Sequence, residues 1–279
     1  MKLAYLKVQN LRALEDIELE FGEVANIVCG PNASGKSTIL EAIRFVKAVL
    51  APRLQNEGQT VLVQMHALSP HYPQAGIIAD ALTSDATKPL KIEAHFRLDD
   101  EEVARLPAAK RALVTSLLQQ QLANNQQNPL DISALLATPP GQQMFAQAEK
   151  SIDAVLGKAL ADKLCILKLE LQPGIGFVPD PNFIGPLLIS TLERALPFDL
   201  ALISFFPADR ALPPGEINIQ LGGPDAAQLL QSHSLNPQTK YQRLKQTIVN
   251  SRVAPYPGGV DVGATFEMNR SGFAGGLLV

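Results

Sequence analysis

"ANIVCGPNASGKSTIL", residues 25–40, is the stretch of this 279-residue chain that decides its fold. The residues at the fixed positions of the pattern G-x-x-x-x-G-K-S are Gly30, Gly35, Lys36 and Ser37. Such a loop needs glycine where the backbone approaches a phosphate closely, so that successive N–H groups can converge on the anion. The stretch therefore predicts a phosphate-binding loop.

The residues on either side of the loop match the strand, loop and helix order that the pattern requires. Residues 25–29 are a short apolar run that predicts a buried strand, with Cys29 as a small buried thiol at its end. Residues 37–49 predict a helix, because apolar side chains recur at helical spacing at Ile39, Ile43, Val46 and Leu50. We therefore expect an α/β nucleotide-binding domain in which this helix points its N-terminus at the phosphates.

Two side chains of the loop suit a nucleoside polyphosphate with its metal ion. Lys36 can place its ammonium between the β- and γ-phosphates, and the Ser37 hydroxyl is suited to ligating Mg²⁺. A chance match in a glycine-containing turn is the alternative, and the flanking strand and helix patterns argue against it.

Composition and charge are those of an ordinary globular chain. Hydrophobic residues make up 46% of it, the net charge is −3 and the pI is about 5.8. No global basic field draws the chain to nucleic acid or to an anionic membrane, although a local basic patch stays open. Cys29 and Cys165 have no partners at metal-ligand spacing, and neither a signal peptide nor a run of about 18 apolar residues is present. We expect a cytoplasmic protein without a membrane partner.

The rest of the chain predicts further strands and several helices from its periodicity. The predicted strands are two within residues 3–20, one at 90–98, one at 165–171 and a last one near the C-terminus. The predicted helices cover residues 99–124, 141–163, 187–196 and 225–250.

The start "LKVQNLRALEDIELEF" together with "GPNASGKST" resembles the N-terminal half of an ABC-type ATPase head. It is most similar to the RecF, SMC and OLD-like group of AAA-family ATPases, and "FFPADRALPPGE" at 205–216 is similar to a segment that follows a later strand in that group. The similarity is strong over the first fifty residues. Over the next two hundred it is limited to the order and general character of the segments. It implies an α/β P-loop NTPase fold with a mixed sheet and a helical insertion.

The resemblance also implies which residues bind ATP and Mg²⁺. They are Gly30, Asn32, Ala33, Ser34, Gly35, Lys36, Ser37 and Thr38, with Ser37 as the Mg²⁺ ligand. Arg12 would lie near the nucleotide, as the arginine of the corresponding turn does in some relatives, and a surface arginine is the equal alternative. Arg210 is either a cation that faces nucleotide or nucleic acid, or a brace for its own turn.

The chain departs from a complete head of this family in two motifs. Such a head has four apolar residues ending in Asp-Glu, which hold Mg²⁺ through water and polarise the attacking water, and an L-S-G-G-like loop that caps the γ-phosphate of the opposing subunit. After "LALISFF" the chain has Asp209 without a following glutamate, Glu216 lies further on, and neither "LGGPD" at 221–225 nor "SGFAGG" at 271–276 fits the loop. The predicted domains are an N-terminal part of the ATPase domain at 1–98, a helical insertion at 99–165, and a continuation at 166–279 that stops before the Walker B and signature motifs.

The leading functional hypothesis is an ATPase motor or switch that acts on DNA or on an effector partner, in DNA repair or phage defence. Hydrolysis would then need a C-terminal half or a second subunit, as a homodimer or as a partner ATPase half. The alternative is a nucleotide-binding interaction module without hydrolysis of its own. A P-loop kinase is weaker, because such kinases use arginine-rich lids and residues 99–165 contain only Arg105 and Arg111.

Overall fold

The computed structural model describes residues 1–54, 56–71, 76–125, 137–178, 180, 184–197, 201–203 and 205. Apart from Phe205, these residues belong to one compact unit, Met1–Pro197 with Ala201–Ile203. Phe205 belongs to the second unit, Phe198–Leu200 with Ser204–Val279. The predictions for Asp209, Arg210, Glu216, the helix at 225–250 and the last strand therefore lie outside the described residues.

Eleven elements are described in the first unit. The strands are β1 (Lys2–Leu11), β2 (Leu14–Glu20), β3 (Leu90–Arg97), β4 (Leu164–Gln172) and β5 (Gly176–Val178). The helices are α1 (Lys36–Leu50), α2 (Glu57–Gln64), α3 (Ala79–Leu82), α4 (Asp100–Asn125), α5 (Pro139–Asp162) and α6 (Ile184–Arg194). No helix in the described part of the chain is long and apolar enough to cross a bilayer.

The strands form a sheet in the order β2-β1-β3-β4-β5, and every neighbouring pair is antiparallel. Alternation along the strands gives the sheet one buried face, to which β1 contributes Leu6 and Val8 and β3 contributes Ile92. The opposite face carries cross-strand charge pairs such as Lys168 with Glu93, whose charged atoms are 3.0 Å apart. The sheet and its helices confirm the α/β class that the sequence predicted.

Helix α1 packs on the buried face of the sheet, where it contacts β1, β3 and β4. Its buried apolar residues include Ile39, Ala42, Phe45 and Val46, which recur at helical spacing. Of the positions that the sequence predicted, Ile39 and Val46 are buried and Ile43 and Leu50 are half-buried. The helices predicted over 99–124 and 141–163 are confirmed as α4 and α5. They follow β3 and precede β4 in the chain, and they pack on each other. The division of the chain at residues 98 and 165 stays a prediction.

Helix α4 begins with a reciprocal capping arrangement. The Asp99 N–H donates to a carboxylate oxygen of Glu102 at 3.0 Å, and the Glu102 N–H donates to Asp99 at 2.8 Å. The Met1 ammonium also donates to both carboxylates, at 3.0 and 2.7 Å. The acidic residues that follow β3 therefore start a helix and bind the ammonium of Met1, the residue before β1.

The predicted strand over residues 25–29 is wrong. These residues have no strand structure, the side chains of Val24 and Ile27 are 98% and 86% exposed, and Cys29 is exposed rather than buried. A strand needs a neighbour for its backbone N–H and C=O groups. Among the described residues none pairs with this segment, whose apolar composition indicates a tendency to be buried but cannot supply that neighbour.

A cluster of three buried charges joins α1, α2 and α6. The Lys47 ammonium lies 2.8 Å from a carboxylate oxygen of Glu57 and 2.6 Å from one of Glu193, and all three side chains are at most 5% exposed. Glu57 also accepts a hydrogen bond from the Arg53 N–H at 2.8 Å. Two carboxylates thus share one ammonium, and burial raises the pKa of Glu193.

Helix α6 approaches β4 closely at Gly185, where a methyl group would overlap the backbone carbonyl oxygen of Ile166. Gly185→Ala should therefore destabilise the fold by about 1–3 kcal/mol or more, because backbone must move to relieve the overlap. Gly157, inside α5, has nothing within 4 Å of such a group, so Gly157→Ala should stabilise the fold by about 0.5–1 kcal/mol. Urea denaturation of both variants measures this, and equal effects would contradict the close approach.

Removing the shared ammonium should be far more damaging than removing one of its carboxylates. Lys47→Met removes the ammonium that both buried carboxylates contact and should cost about 3–5 kcal/mol of unfolding free energy. Glu193→Gln keeps the volume and removes the excess charge, so we expect little loss at neutral pH. Urea titrations of both variants check this, and a Lys47→Met protein as stable as the wild type would contradict it.

The pH dependence gives a second measurement on the same variants. Because the folded-state pKa of Glu193 is raised, its contribution to stability is fully present below the ordinary value of 4.5 and is lost as the pH rises through the folded pKa. The stability of Glu193→Gln relative to the wild type should therefore increase as the pH rises from 4.5. A relative stability that decreases with rising pH would have the wrong sign.

Candidate functional site

The two glycines of the loop have different surroundings. A methyl group at Gly30 would lie 2.8 Å from the Ser34 Oγ, so a larger residue there would require the Ser34 side chain to move. Gly35 has a φ of 84°, in the left-handed region that favours glycine, and Ala33 has a φ of 64°. The chain therefore turns tightly between Pro31 and the start of α1, and the Ser34 N–H donates to the Pro31 carbonyl at 3.4 Å.

Helix α1 begins directly at the end of this turn, with Gly35 as its N-cap residue. Among the described residues no side chain caps it, and its first turn holds no acidic residue. The first backbone bond runs from the Ile39 N–H to the Gly35 carbonyl at 3.0 Å, so the N–H groups of residues 36–38 precede the hydrogen-bonded ladder. The positive end of the helix dipole and these donors together fit an anion.

Lys36 folds back over the loop. Its ammonium donates to the carbonyl oxygen of Gly30 at 2.8 Å and to that of Pro31. The hydroxyl of Ser37 is on an exposed residue next to it, and Thr38 is half-buried. The ammonium can bind phosphate oxygens, and the hydroxyl of the next residue is a ligand of the kind that a hard cation takes.

The β1–β2 turn, taken as Arg12, Ala13 and the first residue of β2, Leu14, packs against the loop. Leu14 is 4% exposed, and its Cδ2 would be 2.6 Å from a methyl group placed on Gly35. The Ala13 Cβ would be 4.0 Å from the same position. The β1–β2 turn therefore packs against the last glycine of the loop.

Arg12 sits in that turn with a φ of 50°, and its guanidinium makes three contacts. It pairs with the Glu41 carboxylate on α1 and donates to the carbonyl oxygens of Met65 and Ala81, at 2.7 and 3.3 Å. The structure thus places Arg12 beside the helix that carries Lys36. A contact of Arg12 with nucleotide stays a prediction.

Asn10, two residues before Arg12, is a buried hydrogen-bonding residue that sequence reasoning missed. It is 6% exposed, has a φ of 59°, and donates from its side-chain amide to the carbonyl oxygens of Asp85 and Lys88 at 2.8 and 2.9 Å. Its Oδ1 accepts from the Ser84 hydroxyl and from the Asp85 N–H. Asparagine before a tight turn was an available signal, because it tolerates the left-handed region. Glu41 and Leu14 gave no such signal, since their partners are distant in sequence.

Comparison with known proteins places these features in a family. The model of the AAA ATPase domain family matches residues 1–168 of this chain. That match confirms the resemblance to AAA-family ATPases that the loop and the preceding strands predicted. No solved structure matches this chain.

Three relatives illustrate the similarity to individual proteins. The DNA replication and repair protein RecF of Roseiflexus castenholzii is 27% identical over 101 residues, covering 36% of this chain and 26% of RecF. The OLD nuclease of Thermus scotoductus is 37% identical over 94 residues, 34% of this chain and 14% of the nuclease. The DNA double-strand break repair Rad50 ATPase of Methanopyrus kandleri is 50% identical over 38 residues, 14% of this chain and 4% of Rad50. The chain thus spans about a quarter or less of these relatives' lengths.

The two cysteines should report the exposure of the segment before the loop. Cys29 is exposed and adjoins Gly30, whereas Cys165 is 1% exposed and burial raises its pKa to about 12. A maleimide should therefore modify Cys29 in the folded protein and leave Cys165 unreacted. Mass spectrometry of the labelled protein measures this, with Cys29→Ser as the control that should take up no label. Equal labelling of both thiols would contradict the described burial.

Proposed function

Since this chain belongs to the AAA ATPase domain family, we propose that its loop at residues 30–38 binds ATP together with Mg²⁺. The observation that carries the proposal is the uncapped start of α1, where a left-handed Gly35 turns the chain into the helix and Lys36 lies inside the turn. When bound, ATP with Mg²⁺ supplies a phosphoryl group that can be transferred to water.

Each loop residue has a proposed part in holding the nucleotide. Backbone N–H groups from Asn32 through Thr38 surround the phosphates, and the small side chains at Ala33 and Ser34 leave them accessible. The Lys36 ammonium exchanges its bonds to loop carbonyls for bonds to phosphate oxygens, which carry more negative charge. Ser37 ligates Mg²⁺ through its hydroxyl.

We propose that hydrolysis requires a second structural contribution, from a C-terminal half or from a partner subunit. The support is twofold: no four apolar residues of the sequence lead into Asp-Glu, and the apolar segment before the loop has Ile27 86% exposed. A strand laid beside this segment would satisfy its backbone and cover its side chains. The same strand could bring the carboxylates that position the attacking water.

The biological setting is proposed from the names of the relatives. RecF is a DNA replication and repair protein, and Rad50 is a DNA double-strand break repair ATPase. We propose that this chain is a cytoplasmic ATPase or ATP-dependent switch that acts on DNA or on an effector bound to DNA. Its net charge of −3 means that any DNA contact would depend on a local basic surface or on a partner.

Nucleotide binding should depend on Lys36. We expect Lys36→Ala to weaken Mg·ATP binding about 10- to 100-fold, because a charge-assisted bond to phosphate is lost. Lys150→Ala removes the same charge from an exposed position on α5 and should leave the affinity unchanged. Calorimetric titration of the wild type and both variants measures this, and equal affinities would remove the loop from the proposal.

The same proteins test whether hydrolysis requires a C-terminal half or a partner subunit. The chain alone should release phosphate at a negligible rate, and adding a chain that carries the Asp-Glu and L-S-G-G-like motifs should raise the rate in a Lys36-dependent way. Binding that never leads to turnover in such mixtures would favour the nucleotide-binding module. Robust Lys36-dependent turnover by the chain alone would show that a catalytic carboxylate is already present, with Asp209 and Glu216 as the first to be replaced.

A further inference from the structure

The β1–β2 turn touches the candidate site at two separate places. The first is Gly35, whose Cα lies against the side chain of Leu14, so that an added methyl group would be 2.6 Å from the Leu14 Cδ2 and 3.4 Å from its Cγ. Both residues are buried although the loop before Gly35 is exposed. The contact therefore joins the core of the sheet to the last glycine of the loop.

The second contact is made by Arg12, two residues before Leu14. Its guanidinium pairs with Glu41, in the second turn of α1, while the carbonyl oxygens of Met65 and Ala81 hold the guanidinium in place. The Arg12 N–H donates to the Leu82 carbonyl at 2.8 Å. Arg12, whose φ is 50°, is therefore hydrogen-bonded to Met65, Ala81 and Leu82. Its guanidinium is at the same time paired with Glu41 of helix α1.

We propose that the β1–β2 turn positions the phosphate loop: Leu14 keeps Gly35 in its left-handed conformation, and Arg12, through Glu41, sets the place of α1. The inference rests on the proposed nucleotide binding and assigns Leu14, Arg12 and Glu41 as positioning residues that act through Gly35 and α1. No contact between these side chains and nucleotide is needed.

The physical reason is the freedom of glycine. Gly35 can adopt many backbone conformations, and only those near its observed φ of 84° direct the N–H groups at the start of α1 towards a common point. The buried Leu14 side chain excludes conformations that would move the Gly35 Cα towards the sheet. If a variant leaves only a tenth of the molecules competent, the apparent dissociation constant rises about tenfold.

Affinity measured against a matched core variant tests the inference. Leu14→Ala should weaken Mg·ATP binding about tenfold, because the side chain that packs against Gly35 is removed. Leu156→Ala removes the same atoms from a buried site on α5 and should lower stability without changing affinity. Leu14→Met, which refills most of the volume, should restore binding. Calorimetry gives the affinities and urea denaturation the stabilities, and Leu14→Ala binding as tightly as Leu156→Ala would overturn the role of Leu14.

The helix contact is tested in the same way. Glu41→Gln should weaken binding in the same direction, because it removes the charge that Arg12 pairs with. Glu149→Gln, on α5, removes a carboxylate paired with Lys110 at 2.9 Å and is the matched control that should bind normally. Unchanged affinity in Glu41→Gln would remove Arg12 and Glu41 from the proposed positioning.

A readout without nucleotide separates this inference from the proposed function. Gly35→Ala places a methyl group against Leu14, and Leu14→Ala removes the atoms it meets, so the double variant should have a higher urea midpoint than the sum of the single losses predicts. Additive losses would overturn the contact whether or not ATP binds. If this coupling is present but the wild-type protein fails to bind Mg·ATP, the proposed function fails and the turn positions a loop of some other use.

Discussion

The packing of helix α1 on the antiparallel sheet is the constraint on which the candidate site depends. Lys36 is the first residue of that helix, so the phosphate loop lies wherever the helix is held. Phe45 and Val46 are fully buried on the face that meets β1, β3 and β4, and the Phe45 ring lies 6.1 Å from that of Phe177 on β5. Burying such side chains contributes about 1.5–3 kcal/mol each, which makes the position of the helix a property of the core.

The two ends of α1 are held by different chemistry. Near the N-terminus, the Leu14 side chain packs against Gly35, and Arg12 forms an ion pair with Glu41 of the helix. Near the C-terminus, Lys47 lies between two buried carboxylates that belong to α2 and α6. The helix is 15 residues long, about 22 Å, so the end that carries the loop and the end that carries the buried charges are separate regions of the molecule. Changes at one end can therefore be made without rebuilding the other.

Local patterns in the sequence predicted those features whose causes are local. The helix after the loop was predicted because Ile39, Val46 and their neighbours recur at a spacing that only a helix buries on one face. Strands β1 and β2 were predicted because apolar and polar residues alternate along them. The contacts that shape the site were not, because Arg12 and Glu41 are 29 residues apart and Leu14 and Gly35 are 21 apart, with no shared spacing to mark them. The strand predicted before the loop was wrong for a related reason, because a strand requires a neighbouring strand as well as an apolar composition.

The exposure of the loop has a consequence for the history of such chains. Residues 30–34 and Ser37 are exposed and add little to the buried core, whereas Gly35 and the turn behind it belong to that core. The fold therefore depends more on the support of the loop than on its exposed side chains. Under the proposed nucleotide binding, substitutions among these exposed residues would change what the loop binds while the core that supports it stays the same.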